Sequence, residues 1–393
     1  MINKVKFFLR GRSNSLRGYL FGLSSNSELL RRERRTIFFL IFSLTLVGLL
    51  FIYESSSLYA LKYQNNPAYF FKKQILFFIL SLFFFYGSLF IDLNFLRQQS
   101  KKILLFLIIV LIIVPFFGQK SGGASRWVEL GGFSFQPSEL LKIFFLIYCA
   151  DYCSRKERIL KNLNYGFIPV GLVLTLICLL LLAQPDLGSV VFWIIWFLIF
   201  VYLYGAKLKH IAIIVSGCLV SFFFLVKMYP YRVRRIAAYL DPFSDPQGSG
   251  FQIIQSQLAY SRGGLFGVGL GEGKQKLFFL PAAHTDFIFS IIAEELGLIL
   301  SLGIVSIFFL IIHKMFKISK FINDKFRKGI LFGIAIIFFL EVFINIGVTC
   351  GLLPTKGMSL PFISYGGTNL VVHYILLGLF FNASKEPFRN KVN

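Results

Sequence analysis

Ten apolar runs dominate this chain of 393 residues and limit what it can fold into. They lie near 36–53, 74–92, 102–117, 137–153, 164–183, 187–204, 209–229, 286–313, 328–350 and 365–382. Most are long enough, as helices, to cross the roughly 30 Å of hydrocarbon in a bilayer. With 56% hydrophobic, 18% aromatic and only 15% charged residues, the apolar surface far exceeds what one soluble core can use. In lipid every backbone donor and acceptor must be satisfied within the segment, so runs of this length predict helices. The expected fold is an all-α polytopic membrane protein. It has ten transmembrane helices and a large extracytoplasmic loop, 230–285, between the seventh and eighth. About 35 residues precede the first run and no small-residue cleavage site follows it, so it does not read as a cleavable signal peptide.

The formal net charge is +23, yet the basic residues gather in short stretches between apolar runs, the arrangement of orientation signals. No nucleic-acid partner is expected. With both termini inside, the cytoplasmic segments hold roughly 27 Lys and Arg residues against roughly 12 opposite, half of the latter in 230–285, and long translocated segments obey the rule less strictly. Arg31, Arg32, Arg34 and Arg35 form the clearest inside anchor and suit contact with anionic lipid. The expected organisation is a cytoplasmic arm over 1–35, partly ordered, with an interfacial stretch around Leu16–Leu23. A ten-helix domain follows over 36–384, then a cytoplasmic tail over 385–393. Within 230–285, the turn-rich 241–248 leads into a helix from Phe251, whose Phe251, Ile254 and Leu258 fit a helix lying on the outer bilayer surface. The five cysteines lie in or beside apolar runs and form no disulfide or metal spacing, so they read as packing residues.

Four segments rich in polar, glycine and proline residues open on the same expected face: 122–139, 183–189, 230–285 and 351–367. Irregular backbone at membrane depth is tolerated where protein or a water-filled cavity surrounds it, so together they predict an outward polar cavity. Asp286, at the mouth of the eighth run, is an ionisable group at a membrane boundary and a functional candidate on that ground. Thr285 and Asp286 also suit a helix amino end, where either could act merely as a cap. Lys142 follows Glu139 by one helical turn and is expected to pair with Glu139, Glu294 or Glu341, or to contact an anionic substrate. Glu294, about 12 Å along a helix from Asp286 and about 80° around it, reads as a structural partner rather than a co-catalyst. Arg126-Trp127 reads as an interface anchor or a phosphate grip. Arg232, Arg234, Arg235, Arg262, Lys274 and Lys276 add positive charge on that side. His284 is expected to orient Asp286 or cap the helix.

At these residues the chain resembles the SEDS family (shape, elongation, division and sporulation; FtsW/RodA). The motifs are Phe135-Gln136-Pro137-Ser138-Glu139-Leu140, Gln184-Pro185-Asp186-Leu187-Gly188, Gly248-Ser249-Gly250-Phe251-Gln252, His284-Thr285-Asp286-Phe287-Ile288-Phe289 with Glu294-Glu295-Leu296-Gly297, and Pro361-Phe362-Ile363-Ser364-Tyr365-Gly366-Gly367. The resemblance covers essentially everything after residue 36. Leu353-Pro354-Thr355-Lys356-Gly357 looks more like the division branch than the elongation branch, though an elongation role stays open. Ala282 departs from the family's usual Leu-Pro-Glu, so that glutamate's role cannot be carried over, and Glu272 or a basic residue is expected to stand in.

The resemblance implies a peptidoglycan glycosyltransferase that polymerises lipid II during septal wall synthesis, releasing undecaprenyl pyrophosphate. Asp286 is then the expected general base. The expected substrate-binding set is Arg126, Trp127, Glu139, Lys142, Gln184, Asp186, Arg262, Lys274, His284, Lys356 and Ser364. No cofactor is certain; a divalent cation, Mg2+ or Mn2+, is an option beside Arg126, Lys142 and the loop arginines for stabilising the leaving pyrophosphate. The implied partners are lipid II, a class B penicillin-binding protein transpeptidase touching an outer helix and 230–285, and other divisome membrane proteins. The implied location is the bacterial cytoplasmic (inner) membrane, at the division septum. Two alternatives stand beside this reading. A lipid II flippase fits ten spans with intramembrane Lys142 and Glu341, but needs access from both sides. A non-catalytic divisome scaffold would not need Asp286.

Overall fold

The computed structural model of the chain describes residues 2–117, 119–121, 124–130, 133–156, 166–227 and 230–385. Twelve helices of four turns or more, or close to it, are described: α1 (Ile2–Gln64), α2 (Tyr69–Ser88), α3 (Leu93–Phe117), α4 (Leu141–Lys156), α5 (Ile168–Ala183), α6 (Leu187–Leu203), α7 (Leu208–Lys227), α8 (Pro230–Leu240), α9 (Phe251–Gly263), α10 (Ile288–Phe321), α11 (Lys325–Thr349) and α12 (Gly367–Ala383). Each of the ten predicted runs coincides with one of α1–α7 or α10–α12. Among the described residues five stretches are long and apolar enough to cross a membrane: Glu28–Gln64, Tyr69–Ser88, Leu93–Phe116, Ile288–Phe321 and Lys325–Thr349. Ile168–Ala183, Leu187–Leu203, Leu208–Cys218 and Gly367–Ala383 are apolar but shorter. Helix α1 begins at Ile2 and runs through the expected arm into the first run; the side chains of 2–27 and residues 386–393 lie outside the described residues.

Strands appear where the sequence reading expected irregular loop. β1 (Gln119–Ser121), β2 (Ala124–Leu130) and β3 (Phe133–Phe135) form a three-stranded antiparallel sheet in the order β1-β2-β3. Gln119 stands opposite Trp127, and Val128 opposite Phe135. The all-α expectation is corrected by this small sheet. Its physical cause is the β-favouring run Trp127-Val128-Glu129-Leu130, set between Gly-Gly pairs that are turn signals in the sequence.

Helix α11 occupies the centre, with Ile330, Leu331, Ile334, Ala335 and Ile337 fully enclosed. It packs on α4, α6, α9, α10 and α12, while α12 packs mainly on α2. Polar groups fix these crossings, because a buried donor without an acceptor is costly. Trp196 Nε1 donates to the Gly333 carbonyl at 3.0 Å, tying α6 to α11. Asn382 Nδ2 donates to the Ser88 and Ile91 carbonyls at 3.1 and 2.7 Å, tying α12 to the end of α2. Ion pairs hold the opposite end: Glu33 of α1 binds Lys314 and Lys317 of α10, and Asp151 of α4 binds Arg97 of α3 at 3.0 Å.

Helix α9 forms where expected, from Phe251. Ile253, Ser256 and Ala259 are enclosed against the rest of the chain, whereas Leu258 is 39% exposed. The Ser256 hydroxyl donates to the Thr349 carbonyl at 2.6 Å and meets Ser290 Oγ at 2.7 Å, so a polar seam docks α9.

Helix α10 is broken at Gly297, whose φ of 76° is foreign to a helix. The groups freed by the break are paired by the preceding loop. Val268 N donates to Glu294 O and Gly269 N to Glu295 O, both at 3.1 Å; Leu298 N donates to Gly264 O at 2.9 Å and Ile299 N to Leu265 O at 3.2 Å. The Glu294 carboxylate accepts from Lys274 N and Gln275 N at 3.0 Å each. It is therefore a structural partner, as the sequence implied, but it pairs with this loop rather than with Lys142. The helix arithmetic from Asp286 does not apply, because α10 starts only at Ile288. A side chain at 297 would meet the Gly267 backbone in addition to being strained. Gly297→Ala is expected to cost about 1–3 kcal/mol, read as a lower unfolding midpoint in detergent. Gly303→Ala on the same helix meets open space and should leave the midpoint unchanged or raise it; equal behaviour of the two variants would contradict the account.

Candidate active site

Asp286 sits on a turn, not on a helix, and three successive carbonyls hold that turn in place. His284 O accepts from Tyr365 N at 3.0 Å. Thr285 O accepts from Ser364 Oγ at 2.6 Å. Asp286 O accepts from Asn345 Nδ2 at 2.8 Å, and the same amide reaches Met358 O at 2.7 Å. Inside the turn, Ala282 adopts a φ of 57° and its carbonyl accepts from Thr285 N and Phe287 N at 3.1 and 3.3 Å. The cap of α10 is Phe287 and no side chain caps it. The Asp286 carboxylate and the Thr285 hydroxyl are thus not caps; Thr285 Oγ1 donates to Ala282 O at 3.2 Å instead.

The Asp286 side chain faces a cavity of about 590 Å³. Its walls come from α2 (Lys73, Phe77), the sheet (Trp127, Ser134), the turn before α4 and α4 itself (Glu139, Lys142), the start of α6 (Asp186, Ser189, Phe192, Trp193), α11 (Glu341) and the 356–369 segment. At its floor the Lys142 ammonium lies 2.5 Å from both Glu139 Oε2 and Glu341 Oε1. Asn369 Nδ2 donates to Glu139 Oε2 at 3.1 Å. A lysine this deeply enclosed is tolerated because two carboxylates meet it. Asp186 caps α6, accepting from Ser189 N at 3.1 Å and Ser189 Oγ at 2.8 Å.

Two groups beside the cavity have displaced titrations with one main cause. Burial raises the Asp286 carboxyl to about 6, and the nearby Lys356 charge holds it down in part. Burial likewise lowers the Lys356 ammonium to about 8, with Asp186 the main opposing influence. Lys356 Nζ is enclosed, makes no hydrogen bond among the described residues, and lies 5.5 Å from the Phe192 ring centroid. Its stem crosses the start of α6 at Gly188, where a Cβ would overlap Lys356 carbons. Gly357 abuts the carboxylate, since a Cβ there would stand 3.0 Å from Asp286 Oδ2.

Of the residues singled out in the sequence, Trp127, Glu139, Lys142, Asp186, Asp286 and Lys356 meet at this cavity. Five others stand outside its lining. Gln184 Nε2 donates to Leu111 O at 3.1 Å, and Ser364 Oγ both serves Thr285 and accepts from Leu360 N at 2.8 Å. Arg262 stands 3.8 Å from Glu294, and Lys274 meets the same carboxylate through its backbone. His284 packs among the rings of Phe70, Tyr59 and Tyr365, at centroid distances of 4.8, 5.7 and 5.8 Å. Burial lowers its titration to about 4, and no side chain caps α10. Glu272 is exposed and stands outside the lining. The side chains of Arg126 and Arg232 lie outside the described residues. Sequence reasoning missed Lys73, Asn369 and His373. His373 was signalled by being ionisable within an apolar run; Lys73 resembled a topology mark. Among the described residues no three His, Cys, Asp or Glu side chains converge as a metal site.

Comparison with known proteins places these features in context. A family model described as cell cycle protein (FtsW, RodA, SpoVE) matches residues 34–388. A probable peptidoglycan glycosyltransferase FtsW of Geobacter sp. (strain M18) is 39% identical over 343 residues, 87% of this chain and 94% of that protein. One of the same description from Escherichia coli O157:H7 is 38% identical over 365 residues, 92% and 88% of the two chains. Among solved structures, a chain of a peptidoglycan synthase complex aligns with a TM-score of 0.74 at 27% identity, covering 88% of this chain and 96% of its own. Thermus thermophilus RodA aligns with a TM-score of 0.63 at 22% identity, covering 88% and 95%, a likeness of fold.

The electrostatic coupling of Lys356 to Asp286 has a definite sign. Lys356→Met removes a positive charge that favours the carboxylate, so the Asp286 titration should move upward from about 6. Infrared difference spectra of the protonated carboxyl band, identified by its loss in Asp286→Asn, would register the move; a downward or absent shift contradicts the coupling.

Proposed function

The chain belongs to the FtsW/RodA/SpoVE family of cell cycle proteins, and from that premise we propose that it is a peptidoglycan glycosyltransferase polymerising lipid II in septal wall synthesis. The observation that carries the reading is a carboxylate, Asp286, held by its backbone at the edge of a charged cavity and raised by burial to about 6. A base is most effective when its pKa lies near the working pH, and desolvation supplies that tuning here.

In the proposed reaction, Asp286 accepts the proton of the 4-hydroxyl on one lipid II's N-acetylglucosamine. The hydroxyl oxygen forms a bond to the anomeric carbon of the growing chain's N-acetylmuramic acid. The bond from that carbon to the pyrophosphate oxygen breaks, and undecaprenyl pyrophosphate leaves with the electron pair. The proton then passes from Asp286 to solvent. Negative charge grows on the leaving group, so preorganised cations near it stabilise the transition state more than the ground state. Lys356 and Lys142 are the proposed cations, with Arg126 of β2 a third.

The proposed topology has ten spans, both termini in the cytoplasm and 230–285 outside, so that the cavity opens towards the outer leaflet. Its support is the basic residues between runs and the match of every apolar run to a helix. The proposed partner is a class B penicillin-binding protein transpeptidase that touches an outer helix and 230–285. The named relatives favour a division role, and Lys356 is the residue of this chain that leans the same way.

Purified protein and lipid II test the reading. Asp286→Asn is expected to lower polymerisation about 10²–10⁴-fold, the range for loss of a general base. A folded variant with near-normal rate would falsify the assignment. The pH profile of the native protein follows from signs already given. Activity should rise as Asp286 loses its proton near 6 and fall as Lys356 loses its own near 8. A rate that is flat between pH 5 and 7 would remove Asp286 from the role.

A further inference from the structure

Behind the cavity floor, α12 places a histidine that the reaction above does not use. His373 is fully enclosed. Its Nδ1 lies 2.6 Å from the Asn369 carbonyl, and its Nε2 lies 2.5 Å from Glu341 Oε2. Phe338 and Phe362 flank the ring at centroid distances of 5.4 and 5.5 Å, which fixes its plane.

Both partners of this imidazole are acceptors. A carbonyl oxygen has no proton to give, and an ionised carboxylate has none either. A neutral imidazole carries one N–H, so one nitrogen would turn a lone pair towards an oxygen at hydrogen-bond distance. The arrangement is satisfied only when the pair holds one further proton, whether on the ring or on Glu341. Glu341 is itself shared, because its other oxygen meets Lys142 at 2.5 Å.

The charge balance of the floor agrees. Among the described residues the cavity lining carries three lysines, Lys73, Lys142 and Lys356, against four carboxylates, Glu139, Asp186, Asp286 and Glu341. Among the described residues Lys142 is the ammonium in contact with both Glu139 and Glu341, with Lys356 beyond contact distance, so that trio is negative by one unless a further proton is present. A negative floor repels an anionic ligand and leaves the ammonium committed to its own carboxylates.

We infer that His373 is a positioning residue: by sharing a proton with Glu341 it neutralises the cavity floor and leaves the Lys142 ammonium available to a diphosphate group. The inference rests on the proposed function for its substrate. It does not rest on that function for its binding test, which needs undecaprenyl pyrophosphate alone.

Three variants separate charge from packing. His373→Phe keeps a ring between Phe338 and Phe362 but holds no proton, and His373→Gln keeps a donor towards Glu341 but carries no added charge. Both should raise the apparent KM for lipid II about tenfold with a smaller change in kcat, the signature of weakened ligand attraction. The double variant His373→Phe with Glu341→Gln restores floor neutrality and should return KM to within about threefold of the native value. Quenching of Trp127 and Trp193, which both line the cavity, by undecaprenyl pyrophosphate should follow the same order. Thermal unfolding midpoints establish that each variant is folded. Native KM and affinity in folded His373→Phe or His373→Gln, or a double variant as impaired as the single one, would overturn the inference. Failure of the native protein to polymerise lipid II would sink the functional reading instead, while the quenching series still decides the role of His373.

Discussion

The turn that carries Asp286 has no regular structure of its own, and what keeps it in one shape is a set of hydrogen bonds from α11, 59 residues further along the chain, and from the segment before α12, 79 residues further along. Tyr365 N, Ser364 Oγ and Asn345 Nδ2 each donate to one of three consecutive carbonyls, those of His284, Thr285 and Asp286. Each of these bonds is worth on the order of 1 kcal/mol net, but losing one inside the protein also strands a carbonyl, which costs more. The consequence is that the carboxylate is aimed by its backbone rather than by its side chain. The carboxylate oxygens are therefore left for chemistry, with burial as the main influence on their titration and Lys356 as the opposing one.

Burial also has to be reconciled with charge. The cavity is lined by charges of both signs, and each of them is costly to enclose unless something answers it. The floor solves this by layering: Glu139 and Glu341 answer Lys142, His373 answers Glu341, and the Asn369 carbonyl answers His373. Lys356 is treated differently. It is enclosed without a hydrogen bond among the described residues, and its ammonium titrates near 8. An ammonium so placed gains more from an arriving anion than one already neutralised by a carboxylate. The two lysines thus stand in different electrostatic settings within one cavity.

How much of this could be read from the sequence depends on the range of the interaction involved. Runs such as 288–321 need no tertiary context, because length and hydropathy alone decide whether a helix suits a bilayer. The Lys142–Glu139 pair was legible for a similar reason, being one helical turn apart. His373 was not, since its carboxylate partner lies 32 residues away on another helix. Ser364 and His284 sat in informative motifs, but their motifs said nothing about whether they face the cavity; one straps the turn and the other fills an aromatic cluster. The β1-β2-β3 sheet was hidden because its strands are short and their neighbouring glycines read as loop. Thr285 and Asp286 suggested a cap because the helix was expected to begin two residues earlier than it does.

The break at Gly297 ties these observations together. A continuous helix through that point would have satisfied its own carbonyls and left the 264–276 segment nothing to bind. Because α10 opens there, the Glu294 and Glu295 carbonyls accept from Val268 and Gly269, while their carboxylates take Lys274 N, Gln275 N and Gly271 N. Lys276 then bridges Glu295 at 2.7 Å and Glu54 of α1 at 3.0 Å. The stretch carrying Asp286 is thus pinned at both ends, by α1 and α10 before residue 277 and by Ser364, Tyr365 and Asn345 of α11 at residues 284–286. A turn held only at one end could swing its carboxylate into water and lose the desolvation that tunes it. Hence residues as remote from the cavity as Glu54 and Gly297 belong to the network that holds the stretch leading to Asp286.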